Sequence, residues 1–285
     1  MALRNTVRTE RTTVSLSDFA AEMQRLDGTQ ESINLLVYGD SNVGKTVLAG
    51  TCPGRCLWLA GEPGFKSAAR RGAKGFVRRI GDTATALAAV DWLNADKRYE
   101  KLDWIIVDGL TTMQDRFRLG YAAEAFDANA SKRAHRNLPD RPDYFNTQNF
   151  LKSWIPQLVD LPVNLLVTAH AYRTDRTENG ELLTFPGIQG KVTETANAIA
   201  GLMDVVGYFE KRRVRTRSGE TKMLRRLWFD SPAARTRGED AIRYITGDKF
   251  GVLGEHMDAP TVPKMLDRIK ESNAYSTLED NSRRR

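Results

Sequence analysis

The chain has 285 residues, a net charge of +7, 41% hydrophobic residues and 28% charged ones, which suits one or two globular domains and excludes a disordered or collagen-like chain. No apolar run nears the ~18–20 residues of a membrane span, and the N-terminus has no signal-peptide core. Two cysteines do not make a disulfide framework, so a reducing cytoplasm is the expected compartment.

Residues 1–30 read as a polar arm and one short helix, capped at Ser15 or Ser17, with Phe19, Met23 and Leu26 on one face. Ile33 to Tyr38 is a continuous apolar run ended by Gly39, the pattern of a strand buried on both faces. A short helix is expected from Gly44. Cys56–Ala60 is the next strand and Phe76–Ile80 a weaker one. Thr83–Asn94 carries Leu87, Val90 and Leu93 at helical spacing. Asp103 to Val107 is a strongly apolar strand ending at Asp108. Helices over 110–127 and 144–160 are separated by a basic, proline-containing segment. Val163–Ala169 is another buried strand, followed by a polar, glycine-containing stretch, 171–190, and a helix over 191–202. Val205–Val214 and Met223–Phe229 flank Arg217-Ser218-Gly219-Glu220, a hairpin signal. A last helix covers 260–271 and a polar tail ends at Arg285. Strands alternating with helices predict an α/β fold, a mostly parallel sheet covered by helices, with a C-terminal β-hairpin.

Gly39-Asp-Ser-Asn-Val-Gly-Lys-Thr46 fits the phosphate-loop spacing G-x-x-x-x-G-K-[ST] between a buried strand and a helix. Backbone N–H groups there wrap a phosphate, and glycines let the chain turn without a Cβ clash. The expected nucleotide-binding set is Gly39, Asp40, Ser41, Asn42, Val43, Gly44, Lys45, Thr46 and Val47. Lys45 would reach the β- and γ-phosphates of ATP. Thr46 and Asp108 would hold Mg²⁺, since Asp108 ends a buried strand at the sheet edge where ligands bind. Gly109 follows Asp108, so a water-polarising carboxylate beside that aspartate is missing. Glu62, after the strand 56–60, is the candidate. No Asn-Lys-x-Asp sequence is present, which disfavours GTP. Cys52 and Cys56 lack further nearby ligands for zinc, and Trp104 and Trp228 sit in strand-like runs that suit the core.

Two basic clusters stand out, 132–141 and 211–226. Each is either a solvated face or a contact for a phosphate backbone.

A glutamate after the strand that follows the phosphate loop resembles the RecA-type ATPase core. Leu35–Thr46, Leu57–Gly64, Trp104–Thr111, Leu161–His170, Met203–Tyr208 and Gly247–Gly251 together resemble phage-encoded RecA-like ATPases of the Sak-type single-strand annealing group. The resemblance implies a RecA-like P-loop NTPase domain over 31–272, between the arm and a flexible tail, 273–285. His170 would sense the γ-phosphate, although a strand-end histidine in a satisfied setting has the same sequence. The stretch 171–190 would be a DNA-binding loop offering Arg173, Arg176 and Phe185, and 128–143 a second one with Lys132, Arg133 and Arg136. Lys249 would reach the nucleotide of a neighbouring subunit. The implied partners are single-stranded DNA, further copies of the chain in a ring or filament with nucleotide at the subunit interfaces, and a single-strand binding protein, in a bacterial host cytoplasm and with no membrane. The implied activity is DNA-stimulated ATP hydrolysis driving annealing or strand exchange. Two alternatives stay open: a nucleotide-regulated DNA-binding module with negligible hydrolysis, and a small-molecule P-loop kinase.

Overall fold

Strands that are apolar at every position bury their side chains only inside a sheet covered on both faces, and the strongest runs of this chain lie there. The computed structural model describes residues 32–174, 182–190, 194–215, 219–231 and 242–271. The chain divides into units Met1–Glu31 and Ser32–Arg285, and every described residue belongs to the second. The helix expected within 1–30, the tail 273–285 and Arg176 lie outside the described residues.

Along the chain the strands are β1 (Asn34–Gly39), β2 (Cys56–Ala60), β3 (Phe76–Arg79), β4 (Trp104–Asp108), β5 (Asn164–Arg173), β6 (Leu182–Pro186), β7 (Val205–Arg215), β8 (Thr221–Trp228), β9 (Ile242–Tyr244), β10 (Gly247–Asp248) and β11 (His256–Asp258). Neighbours in the order β7-β1-β5-β4-β2-β3 are all parallel. β8 pairs antiparallel with β7, and β11 with β8. The helices are α1 (Lys45–Ala49), α2 (Phe65–Ala69), α3 (Thr83–Asn94), α4 (Leu110–Ala128), α5 (Arg141–Val159), α6 (Glu194–Leu202) and α7 (262–271).

The two-residue period of β1 divides the core. Leu36 and Tyr38 join the cluster under α3, α4, α5 and α6, with Val90, Phe117, Trp154 and Ile199. Leu35 and Val37 face α1, α2 and α7, with Leu48, Ala68, Met265 and Ile269. Trp154 is fully buried and its indole N–H donates to the Ala86 carbonyl at 3.0 Å, so the ring's one polar group is satisfied. Trp104 and Trp228 are core residues too.

Several elements differ from expectation. In α3 the inner face is Ala86, Val90 and Leu93, while Leu87 is turned outward. α5 starts earlier than residue 144, because Asp140 and Asp143 form a reciprocal capping box with a proline in the first turn. β5 runs on to Arg173 and β6 folds back antiparallel, with Tyr172 opposite Phe185, so the flanks of 171–190 are strands. The weak strand β3 is an edge, exposed at all four positions. No described helix is long and apolar enough to cross a membrane.

Candidate nucleotide-binding site

β5 lies between β1 and β4, so the loop leaving β1 and the carboxylate ending β4 flank one central strand. The loop's shape follows from its glycines. Gly44 has φ +110°, a region that L side chains rarely adopt. A Cβ on Gly39 would come 2.1 Å from the Phe209 carbonyl oxygen of β7, so only glycine allows that approach. Asn42 also takes a left-handed conformation, at φ 62°.

Lys45 is buried, and its Nζ donates to the carbonyls of Gly39 and Asp40 at 2.9 Å each. Burial pulls the ammonium below its usual pKa near 10.5, while the charges of Glu62, Asp108 and Asp40 hold it up. Thr46 lies in the first turn of α1, and its hydroxyl donates to Asp108 Oδ1 at 3.0 Å. Thr168 of β5 donates to the same oxygen at 2.8 Å and accepts from the Gly109 amide at 2.8 Å. Burial raises the Asp108 carboxyl above the ordinary carboxylate value, and the two hydroxyls partly offset it.

Asp108 Oδ2 is buried and has no hydrogen-bond partner among the described residues. A Cβ on Gly64 would lie 3.2 Å from Thr46 Oγ1 and 3.5 Å from Asp108 Oδ2, so the glycine keeps a small space open between them. An unsatisfied carboxylate oxygen, a hydroxyl and a vacated Cβ position fit a hard cation with its water. Glu62 stands beside this space. Its Oε2 accepts from Thr112 Oγ1 at 3.4 Å, and its carboxylate packs against Gly109.

His170 pairs in register with Gly39, which places it at the mouth of the loop. Its amide donates to Thr111 Oγ1 at 3.0 Å, and its carbonyl accepts from the Gly187 amide just after β6. Burial, and then the Lys45 charge, depress the imidazole below its usual pKa near 6.5, so it is neutral at pH 7.

A match to the AAA domain family covers residues 31–235, most of the chain and the whole of this site. The chain belongs to the AAA family. It is a P-loop ATPase by fold, with the RecA-like arrangement in which a strand separates the phosphate-loop strand from the aspartate strand. Among solved structures it is similar to a KaiC-like protein from the archaeon Pyrococcus horikoshii. The identity is 9% over 69% of this chain and 77% of that one, with a TM-score of 0.37. No curated protein matches.

The AAA chain brings Gly39–Val47, Glu62, Asp108 and His170 to one sheet edge. The residues expected to contact DNA are placed variously. Phe185 is buried, edge-on to Tyr172 with ring centroids 6.3 Å apart, which corrects its expected stacking on bases. Arg173 ends β5 and donates to the Asp40 carboxylate of the phosphate loop, at 2.9 Å. Arg133 is mostly buried and bridges both oxygens of Asp143, so its guanidinium holds the start of α5 instead of facing DNA. Arg136 is exposed but pairs with Asp127 at 2.7 Å. Lys132 is exposed. Lys249 lies at the opposite edge of the sheet, where its amide bonds the Asp204 carbonyl just before β7 and its Nζ the Gly201 carbonyl at 3.1 Å. It cannot reach the loop of its own chain.

Sequence reasoning missed Thr111, Thr112 and Thr168, which position the acidic groups, and Arg225 of β8. Arg225 Nε donates to the Val43 carbonyl at 3.0 Å and packs on the open face of Gly44. Thr168 carried a faint signal, being two residues from His170 on the same face of β5. Arg225 carried none beyond its place in a basic run.

Proposed function

We propose that this ATPase couples Mg·ATP hydrolysis to binding of single-stranded DNA, and promotes annealing or strand exchange in recombination. In this reading the loop amides and Lys45 bind the triphosphate, while Thr46 and Asp108 hold Mg²⁺. The ion, when bound, offsets phosphate charge and orients the terminal phosphoryl group. Glu62 takes the proton of the attacking water as that oxygen bonds the γ-phosphorus and the bond to the bridging oxygen breaks. His170 senses the terminal phosphate and passes its presence through Thr111 and Gly187 to the β5–β6 hairpin.

The observation that carries the DNA part is the β7–β8 ribbon. Lys211, Arg213 and Arg215 alternate on its exposed face, and Lys211 stands opposite Arg225, which touches the phosphate loop. A cationic row with a repeat of ~6.8 Å suits the backbone of an extended single strand and starts at the nucleotide. In the same reading Lys249, which lies far from its own chain's loop, serves the nucleotide of a neighbouring subunit in a ring or filament. The same reading gives a bacterial host cytoplasm as the compartment and a single-strand binding protein as a further partner.

Phosphate release measured with and without single-stranded DNA tests this. DNA is expected to raise the wild-type rate, and Lys45→Ala to lose ATP binding. Glu62→Gln is expected to keep ATP binding and slow turnover by about 10²-fold or more. Turnover that Glu62→Gln leaves unchanged removes the base from the mechanism. A wild-type rate indifferent to DNA removes the coupling and favours a phosphoryl-transfer or nucleotide-binding role.

A further inference from the structure

We propose that Arg173 is a ligand for the terminal phosphate of ATP, held in reserve by Asp40. The inference rests on the nucleotide site described above and concerns how that site tells ATP from ADP.

Two cations at the mouth of the loop are tied to its first two residues. Lys45 bonds the carbonyls of Gly39 and Asp40, while Arg173 bonds the Asp40 carboxylate at 2.9 Å and the Tyr208 hydroxyl at 3.2 Å. Lys45 keeps a third N–H for a terminal phosphate, the Asp40 carboxylate lies near enough for its charge to act on Lys45, and Arg173 is the cation in contact with that carboxylate. The Arg173–Asp40 pair is roughly half exposed, at 42% and 49%, where water keeps an ion pair weak. A phosphate bearing two charges offers a planar guanidinium parallel hydrogen bonds that one carboxylate oxygen does not. Exchange from Asp40 to phosphate is therefore favoured once the phosphate is present.

Tyr208 supplies the pivot. It is buried in β7 and stacks near Tyr244 with centroids 4.3 Å apart, so its hydroxyl stays fixed while the arginine turns. Burial pushes its phenol up to about 12, which keeps it a neutral hydroxyl across the working pH range. A cavity of about 430 Å³ lined by Asp40–Val43, Arg173, Tyr208 and Lys211 gives the guanidinium room to swing. Glu210 also lines this cavity, but Trp228 and Arg212 engage its carboxylate. ADP brings no terminal phosphate and leaves the pair closed.

Calorimetric affinities for ATP and ADP, measured with Mg²⁺ on the full chain, test the exchange. Arg173→Ala is expected to weaken ATP by about tenfold and ADP by less than about twofold, with Arg173→Lys recovering part of the loss. Asp40→Asn is expected to tighten ATP by about threefold or more, because the arginine is already free. That gain should vanish when Asp40→Asn is placed on Arg173→Ala, which shows that it acts through the arginine. If Arg173→Ala and Asp40→Asn weaken ATP and ADP alike, the pair is a structural bridge and the inference falls while the nucleotide site stands. A gain from Asp40→Asn that persists without Arg173 also overturns it. Wild type that binds neither nucleotide overturns the site itself and this inference with it.

Discussion

Two arginine-rich stretches have much the same composition and opposite fates. In 132–141 two of the three arginines are engaged internally: Arg133 grips Asp143 at the start of α5, and Arg136 pairs with Asp127. In β7–β8 alternate residues of a strand point to opposite faces. Arg212 and Arg226 turn to Glu210, Trp228 and Asp258, while Lys211, Arg213 and Arg215 stay outside. The difference teaches that a positive run states only how much charge is present. The local backbone period and the nearest carboxylates decide whether it is glue or surface.

The comparison breaks most visibly at Arg133. Burial pushes the Asp143 carboxyl up, and Arg133 with the Asp140 amide more than reverses this, leaving it below the ordinary value. A depressed carboxylate lends stability that is complete above about pH 4 and is lost as acid takes the pH through the folded value. Arg133→Ala leaves that carboxylate buried without its partner and should lower the thermal midpoint by several degrees. The sign of the Asp143 contribution then inverts. Its pKa rises, so the gap between wild type and variant should widen from about pH 4 to pH 7, as thermal melts across that range will show. DNA affinity of the folded variant should not change. A variant that melts like wild type but binds DNA weakly would return 132–141 to the DNA path.

Next in size is Arg213→Gln with Arg215→Gln. Removing two phosphate contacts should flatten the slope of log affinity against log salt by about 1.4, with an unchanged melting point. An unchanged slope would show that the ribbon is only a solvated face. Arg225→Ala sharpens the same region. It should leave ATP affinity within about threefold, because Arg225 lies against the outside of the loop. It should lessen the stimulation of hydrolysis by DNA, since it is the side-chain link between ribbon and loop. The smallest effect belongs to Arg136→Gln, an exposed pair, which should match wild type in melting and in DNA binding.

Much of the site was legible because it is local. The phosphate loop is a spacing, Asp108 is the residue that ends an apolar strand, and Glu62 follows the next one, so chain order alone suffices. What escaped depends on groups far apart in the chain. Arg173 meets Asp40 across 133 residues and Arg225 meets Val43 across 182, and neither residue carries a local mark of it. Phe185 misled because an aromatic in a polar stretch suggests a surface platform, whereas β6 pairs with β5 and turns it inward. Leu87 misled because Leu87, Val90 and Leu93 share a helical stripe, yet the sheet takes the smaller Ala86 instead.

The contact between Gly39 and Phe209 has a mechanical consequence. A methyl group there would lie 2.1 Å from a main-chain oxygen and is refused, so the start of the nucleotide cradle and the root of the cationic ribbon meet backbone to backbone in the β1–β7 pairing. A tug on the outer arm of that ribbon therefore has a main-chain route to the cradle beside the side-chain route through Arg225.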